Sequence, residues 1–348
     1  MITRISIVSL TTMVVLGFMF IIVRSSCQPY EEKHGFNRVF RSESKLRLIK
    51  KMPVQHPLYI AGSDNGNIYF HTDDPLILAY ADTAFSTIKT IALSIGDTVS
   101  RHLTNAFSTH IRYPDAFIFA YNMAAILHYN LQTGEHTVIS TPSNYNNAVQ
   151  ISDSTFILKY FTGNSTDQSF CKLNIHTGQL TKTDLLTEDL TSGGTLLYNN
   201  KNASCYYIHQ YNNRITIFDT AFHSIRFTHT IDTFTQSQIR YLSRNKTGSS
   251  DVLYKPSGTR MLINYLSQLN GSRLYVNSLI KADNETLLTD QSETVIDVYS
   301  TNMDKYLESF YIPVPSKQHL KSFYIFNGKI LATYTNHLAL YEFPSLSK

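Results

Sequence analysis

One unit recurs along the chain: a short apolar strand, a polar turn carrying a threonine, and a second strand. It appears in "LILAYADTAFSTIKTIAL", "AILHYNLQTGEHTVIS", "SFCKLNIHTGQLTKTD", "RITIFDTAFHSIRFTHTI" and "TVIDVYSTNMDKYLESFYI". The turn threonines are Thr83, Thr133, Thr177, Thr220 and Thr301, spaced 50, 44, 43 and 81 residues apart. The two near-identical turns, "DTAF" at Asp82 and at Asp219, are therefore three periods apart and read as structural repeats. A hairpin of this kind cannot bury its apolar face alone. It must stack against copies of itself.

Each hairpin follows another pair of strands. In the first unit, "PLYIAG" and "NIYFHT" flank "SDNGN", where Asn65-Gly66 is a tight-hairpin signal. "AFSTHIRY" with "DAFIFAY", "NAVQIS" with "TFILKYF", "GTLLYN" with "SCYYIHQY", and "RMLINYL" with "RLYVNSL" follow. Four strands per period of about 40–50 residues predict the blades of a β-propeller. The end supplies only three strands, "HLKSFYIF", "KILATYT" and "HLALYEF", with "NGK" at Asn327 as a hairpin turn. The lone strand "KLRLIKKMP" at 45–53 fits as the missing outer strand, closing the ring and covering its edges. The fold class is all-β, a six-bladed β-propeller, with 231–258 as a long connection. If "QIRYLS" and "DVLYKP" open another blade, the alternative is seven blades. "SIRFTHTID" and "RLYVNS" alternate in period two, as half-buried strands do.

The chain has 348 residues, 43% of them hydrophobic, with 23 Tyr, 20 Phe and no Trp, a mixture suited to short strands and polar turns. Its net charge of +4 is uneven. Residues 1–51 hold nine Lys and Arg against three Glu, so the remainder (21 basic, 23 acidic) is nearly neutral. That argues against nucleic acid as a partner, which demands a basic face. Residues 5–23 carry no charge and are long enough for a membrane-spanning helix or a long signal-peptide core. We expect residues 1–27 to be a signal peptide or membrane anchor, 28–44 a polar tether, and 45–348 the propeller. Cys27, preceded by Ser25 and Ser26, is a lipidation candidate; Arg24 departs from the bacterial pattern. The expected location is outside the cytoplasm, membrane-tethered, periplasmic or cell-surface. Cys171 and Cys205 read as two small buried hydrophobes.

The anchor-like start, the "FDT" turn and the run "LYVNSLIKADNE…VIDVYSTNMDKYLESFYIP" with "LKSFYIFNGKILATY" resemble secreted six-bladed TolB-like β-propeller proteins of Bacteroidota. The resemblance spans roughly 45–343 and implies a fold and a location more than a chemistry. In such a setting Asp82-Thr83-Ala84 and Asp219-Thr220-Ala221 resemble an O-glycosylation signal, with Thr83 and Thr220 as acceptors. Asp-Thr is equally good turn chemistry.

No nucleophile elbow, phosphate loop or metal-ligand spacing is present, so we expect no catalytic residue, metal or cofactor. Up-and-down blades put all a–b and c–d turns on one face and all b–c and d–a connections on the other. The tight turns fall in the first set. The long connections 94–105, 184–193, 231–258 and 279–293 fall in the second, around one mouth of the channel. Loops on a rigid scaffold are where binding groups gather. Arg112, Arg260 and Lys321, near the innermost strands, are the candidate ligand-binding residues. The expected function is non-catalytic binding or scaffolding of a protein or glycan. The alternative is a propeller enzyme, a glycoside-processing hydrolase or lyase with its site at the channel mouth. The oligomeric state is not legible.

Overall fold

The structure is a computed structural model. It describes residues 13–20, 33–40 and 46–343, the last without 101–102, 104–105, 122, 164–165, 184–185, 246–251, 259, 286–291 and 316–317. Cys27 lies outside the described residues. Residues 13–20 are helical, and among the described residues no helix is long and apolar enough to cross a membrane.

Six four-stranded antiparallel blades form the ring. After the lone strand β1 (Arg47–Pro53), blade 1 is β2 (Tyr59–Asp64), β3 (Asn67–His71), β4 (Ile77–Asp82) and β5 (Ile88–Ala92). Blade 2 is β6 (Phe107–Arg112), β7 (Asp115–Ala120), β8 (Ala125–Asn130) and β9 (His136–Ser140). Blade 3 is β10 (Tyr145–Ser152), β11 (Thr155–Phe161), β12 (Gln168–Asn174) and β13 (Leu180–Lys182). Blade 4 is β14 (Gly194–Asn199), β15 (Ser204–His209), β16 (Arg214–Asp219) and β17 (Ile225–His229). A separate hairpin, β18 (Tyr241–Asn245) and β19 (Val252–Pro256), occupies the connection that follows, so these two strands add no seventh blade. Blade 5 is β20 (Asn264–Asn270), β21 (Arg273–Ser278), β22 (Glu293–Ser300) and β23 (Lys305–Pro313). Blade 6 is β24 (Ser322–Phe326), β25 (Lys329–Thr333) and β26 (His337–Glu342), completed by β1. The closing ladder runs antiparallel from Arg47 opposite Glu342 to Pro53 opposite His337.

The core is a ring of six apolar clusters, one at each junction between neighbouring blades. Phe70 and Ala79 of blade 1, for example, share a cluster with Leu331 and Leu338 of blade 6. A middle strand is therefore buried on both faces. In β21, Leu274, Tyr275, Val276 and Asn277 are all buried, where period-two reading placed two of them outward. In outermost β17, Phe227 is 56% exposed although period two sets it on the face opposite Arg226 and Thr228, and the Arg214 guanidinium lies over its ring. Toward the axis the backbones crowd. A Cβ on Gly62 of β2 would sit 2.1 Å from the Ile111 carbonyl of β6, which is why glycine stands there.

Turn chemistry is as the sequence predicts. Asn65-Gly66 and Asn327-Gly328 both have positive φ at the two central positions, the hairpin geometry those pairs favour. In each "DTAF" turn the aspartate accepts backbone N–H groups: Ser86 for Asp82, and Ala221, His223 and Ser224 for Asp219. The phenylalanine adopts positive φ and is buried as a plug under the turn (Phe85, Phe222). Each plug contributes about 1.5–3 kcal/mol of apolar burial against the cost of that backbone conformation.

Candidate functional site

The b–c and d–a connections share one face, here the looped face; the tight turns share the other, the turn face. The longest segments, 93–106, 183–193, 230–263, 279–292 and 314–321, all lie on the looped face. Across the top of blade 5, toward blade 6, the last three of these border an open cavity of about 630 Å³. It runs from Tyr265 on innermost β20 to Tyr311 on outermost β23, with Lys281, Glu285, Glu293 and Lys321 in its lining. The site thus sits over a blade, where the sequence placed it at the channel mouth.

The walls are held by specific bonds. Asn277 donates through Nδ2 to Thr294 Oγ1 and the Val295 carbonyl, both at 2.8 Å. Glu285 accepts the Ala282 N–H at 2.6 Å and the Tyr311 hydroxyl at 2.6 Å, and is in contact with Arg38 Nη1. Burial, then the bond to Glu285, raises the Tyr311 phenol above its ordinary range, so it stays a donor. The Gln318 side-chain Oε1 is buried in the lining with no partner among the described residues.

Arg38 falls in the segment read from the sequence as a polar tether. Instead residues 33–40 fill the seam between blades 4 and 5. The Arg38 side chain is fully buried, bonded through Nε and Nη2 to Asp297 (2.7 and 3.1 Å) and through Nη1 to the Ile280 carbonyl (2.9 Å). Burial disfavours its charge, but Asp297 and Glu285 outweigh that and raise its pKa. Asp283 Oδ1 accepts the His34 N–H at 2.7 Å, and Thr233 Oγ1 donates to the His34 carbonyl. Phe36 packs with Ile263, Ile280 and Ala282. Further along, Phe40 pairs with Ser309 of β23 and stacks on Tyr311. The segment therefore meets the looped face beside Thr233 and Asp283 and follows the flank of blade 5 as far as Phe40, beside Ser309 of β23. Only its aromatic residues, in "HGFNRVF", hint at burial; nothing local in the sequence announces Arg38.

A second polar cluster lies between blades 3 and 4. Lys159 is fully buried and donates to the Ser192 carbonyl (2.7 Å), Ser192 Oγ (2.9 Å) and Tyr207 Oη (2.9 Å). Burial lowers its pKa to about 7, against the attraction of Glu188. Arg214 grips both oxygens of Glu188 and donates from Nε to His209 Nε2 at 3.1 Å. Burial, then Arg214 and Lys159, drives the His209 pKa well down, so the ring is neutral with its proton on Nδ1. Running from β11 of blade 3 to Tyr207 of β15 and the Ser192 connection of blade 4, the cluster fastens two blades together.

Of the three residues picked from the sequence, only Lys321 lines the cavity. Arg112 stands at the turn face, where its Nη1 bonds the exposed Asp153 at 2.7 Å. Arg260 is exposed on the connection leading into β20. Thr83 and Thr220 are half-buried in turn-face loops. Cys171 and Cys205 are free and buried, and burial pushes both thiols up to about 12.

No family model matches the chain, and no curated protein matches it either. Among solved structures, a member of the DUF4221 family from Bacteroides vulgatus superposes with a TM-score of 0.54 at 14% identity, covering 87% of this chain and 99% of that one. The extracellular domain of a putative hybrid two-component system from B. thetaiotaomicron gives 0.47 at 10% identity, covering 84% of this chain and 34% of that one. The nidogen/laminin complex gives 0.47 at 9%, covering 73% and 80%. The chain is a six-bladed β-propeller, a fold it shares with the Bacteroides protein.

Proposed function

We propose that this protein is a non-catalytic binding propeller, exported and tethered to a membrane by its N-terminal segment, that takes a glycan or protein partner on the looped face. The observation that carries it is the cavity of about 630 Å³ over blade 5. Ligand pockets run roughly 300–1,000 Å³ and combine apolar walls with a few placed polar groups. Here Leu262, Leu279 and Val314 supply the apolar walls, and Tyr265 and Tyr311 add aromatic surface. Protein interfaces are usually broad, about 800 Å² per partner, so a concave site of this size favours the end of a glycan.

Binding to an array of immobilised glycans is the test. A glycan retained by the native protein should be held at least about ten-fold more weakly by Tyr265→Ala, as loss of a hot-spot aromatic implies. Native pull-down from membranes that instead recovers one protein, displaced by the same substitution, would move the reading to a protein partner. No glycan and no such protein would overturn it.

Glu285 and Glu293 both line the cavity, which keeps a glycoside-processing site as a second reading. Glu285 already serves Arg38, Ala282 and Tyr311, which favours a role as wall over acid or base. Cleavage of the retained glycan, abolished by Glu293→Gln, would establish the catalytic reading.

A further inference from the structure

The hairpin β18–β19 belongs to no blade, and among the described residues it adds none to a core cluster. Residues 240–260 hold five Lys and Arg against one Asp, a local +4 in a propeller that is otherwise slightly acidic. Four of those cations, Arg240, Arg244, Lys255 and Arg260, are exposed, and among the described residues none has an ion-pair partner. Leu242 stands opposite Lys255 in the register, so Leu242, Arg244 and Lys255 share one side of the hairpin. Leu242 is 66% exposed and Tyr254 is 43% exposed, the former among the most exposed aliphatic side chains of the propeller. The other side carries Tyr254 and turns inward at its base, where Tyr241 is half-buried.

The position of the hairpin matters as much as its composition. It rises from the d–a connection between blades 4 and 5, on the looped face. The N-terminal segment meets the propeller beside the same connection, with His34 held by Thr233 and its ring 5.3 Å from that of Phe234. The uncharged run ends at Val23, ten residues before Lys33. Ten residues span at most about 35 Å. If that run sits in a bilayer, the looped face cannot be far from the bilayer surface.

We propose that the β18–β19 hairpin is a membrane-contact element that docks on an anionic lipid surface. Arg240, Arg244, Lys255 and Arg260 meet the headgroups, and Leu242 enters the interfacial layer. Exposed cations around an apolar tip are the chemistry that interfaces select. The proposal does not depend on what the cavity binds. It does fix where binding happens: within reach of the lipid surface.

The test is amide hydrogen exchange on the full chain mixed with preformed vesicles. One set is purely zwitterionic phosphatidylcholine; the other contains phosphatidylglycerol. We expect exchange in 241–245 and 252–256 to slow several-fold on the anionic set only. The quadruple variant Arg240→Ser, Arg244→Ser, Lys255→Ser, Arg260→Ser should lose that protection, since each cation near an anionic surface strengthens partition by about five-fold. Leu242→Asp should lose it too, and as a single exposed substitution it guards against misfolding of the quadruple variant. Equal exchange on both vesicle sets would overturn the proposal, as would protection that survives all the substitutions. Protection without lipid that grows with protein concentration would also overturn it, by assigning the hairpin to a second copy of the chain.

Discussion

Lys159 carries the clearest pH signature of any single residue. Its pKa falls from the ordinary 10.5 to about 7 because burial disfavours the charged amine. Below about pH 7 both folded and unfolded chains hold the proton, and the residue adds no pH dependence. Between about 7 and 10.5 the unfolded chain binds a proton that the folded chain has released, so stability rises with pH. Denaturant midpoints measured at pH 7 and pH 9 should therefore increase, and Lys159→Met should flatten that increase. A slope unchanged in the variant would rule Lys159 out as its source. His110 works on the acid side. Burial, then Arg112, lowers it to about 4, so it adds stability above 6.5 that drains as pH falls toward 4. None of this is legible in the sequence, because burial dominates both shifts and is set by packing; only Arg112, two positions from His110 on β6, is local. Asp82 and Asp219 were legible, because their partners lie within five positions.

Two elements set the character of the looped face: the segment 33–40 and the hairpin β18–β19. The first was read from the sequence as part of a polar tether and the second as a long connection, for different reasons. Arg38 finds Asp297 259 residues away, a pairing that no local pattern encodes. The basic hairpin vanished into a regional charge sum, since the acidic remainder cancels it. Arg38→Ala would leave Asp297 buried and uncompensated, and we expect a loss of about 3–5 kcal/mol in chemical denaturation. Arg38→Lys should recover only part of it, since an ammonium cannot make the forked contact. Because Arg38 also touches Glu285, the same substitution should weaken any ligand of the cavity more than Lys159→Met does. Comparable weakening by both would point to global destabilisation.

For the whole molecule, the ring was readable because its ruler is sequential: period, turn residues and a missing fourth strand. Six blades follow from the 231–258 segment being too short for a blade, and it forms a hairpin. Closure rests on β1, whose ladder joins the two ends of the propeller. A chain beginning at residue 55 should leave β26 as an open edge and form concentration-dependent assemblies in light scattering, as unprotected strand edges do. A monodisperse monomer from that chain would show that β1 is dispensable. The same ladder also imposes a schedule. Strand β1 leaves the ribosome well over two hundred residues ahead of β26, the strand it must pair with. At about 5–20 residues per second, that interval lasts on the order of tens of seconds. Throughout it a strand with nothing to pair with must be kept from pairing wrongly, so the newborn chain needs a caretaker before it can close.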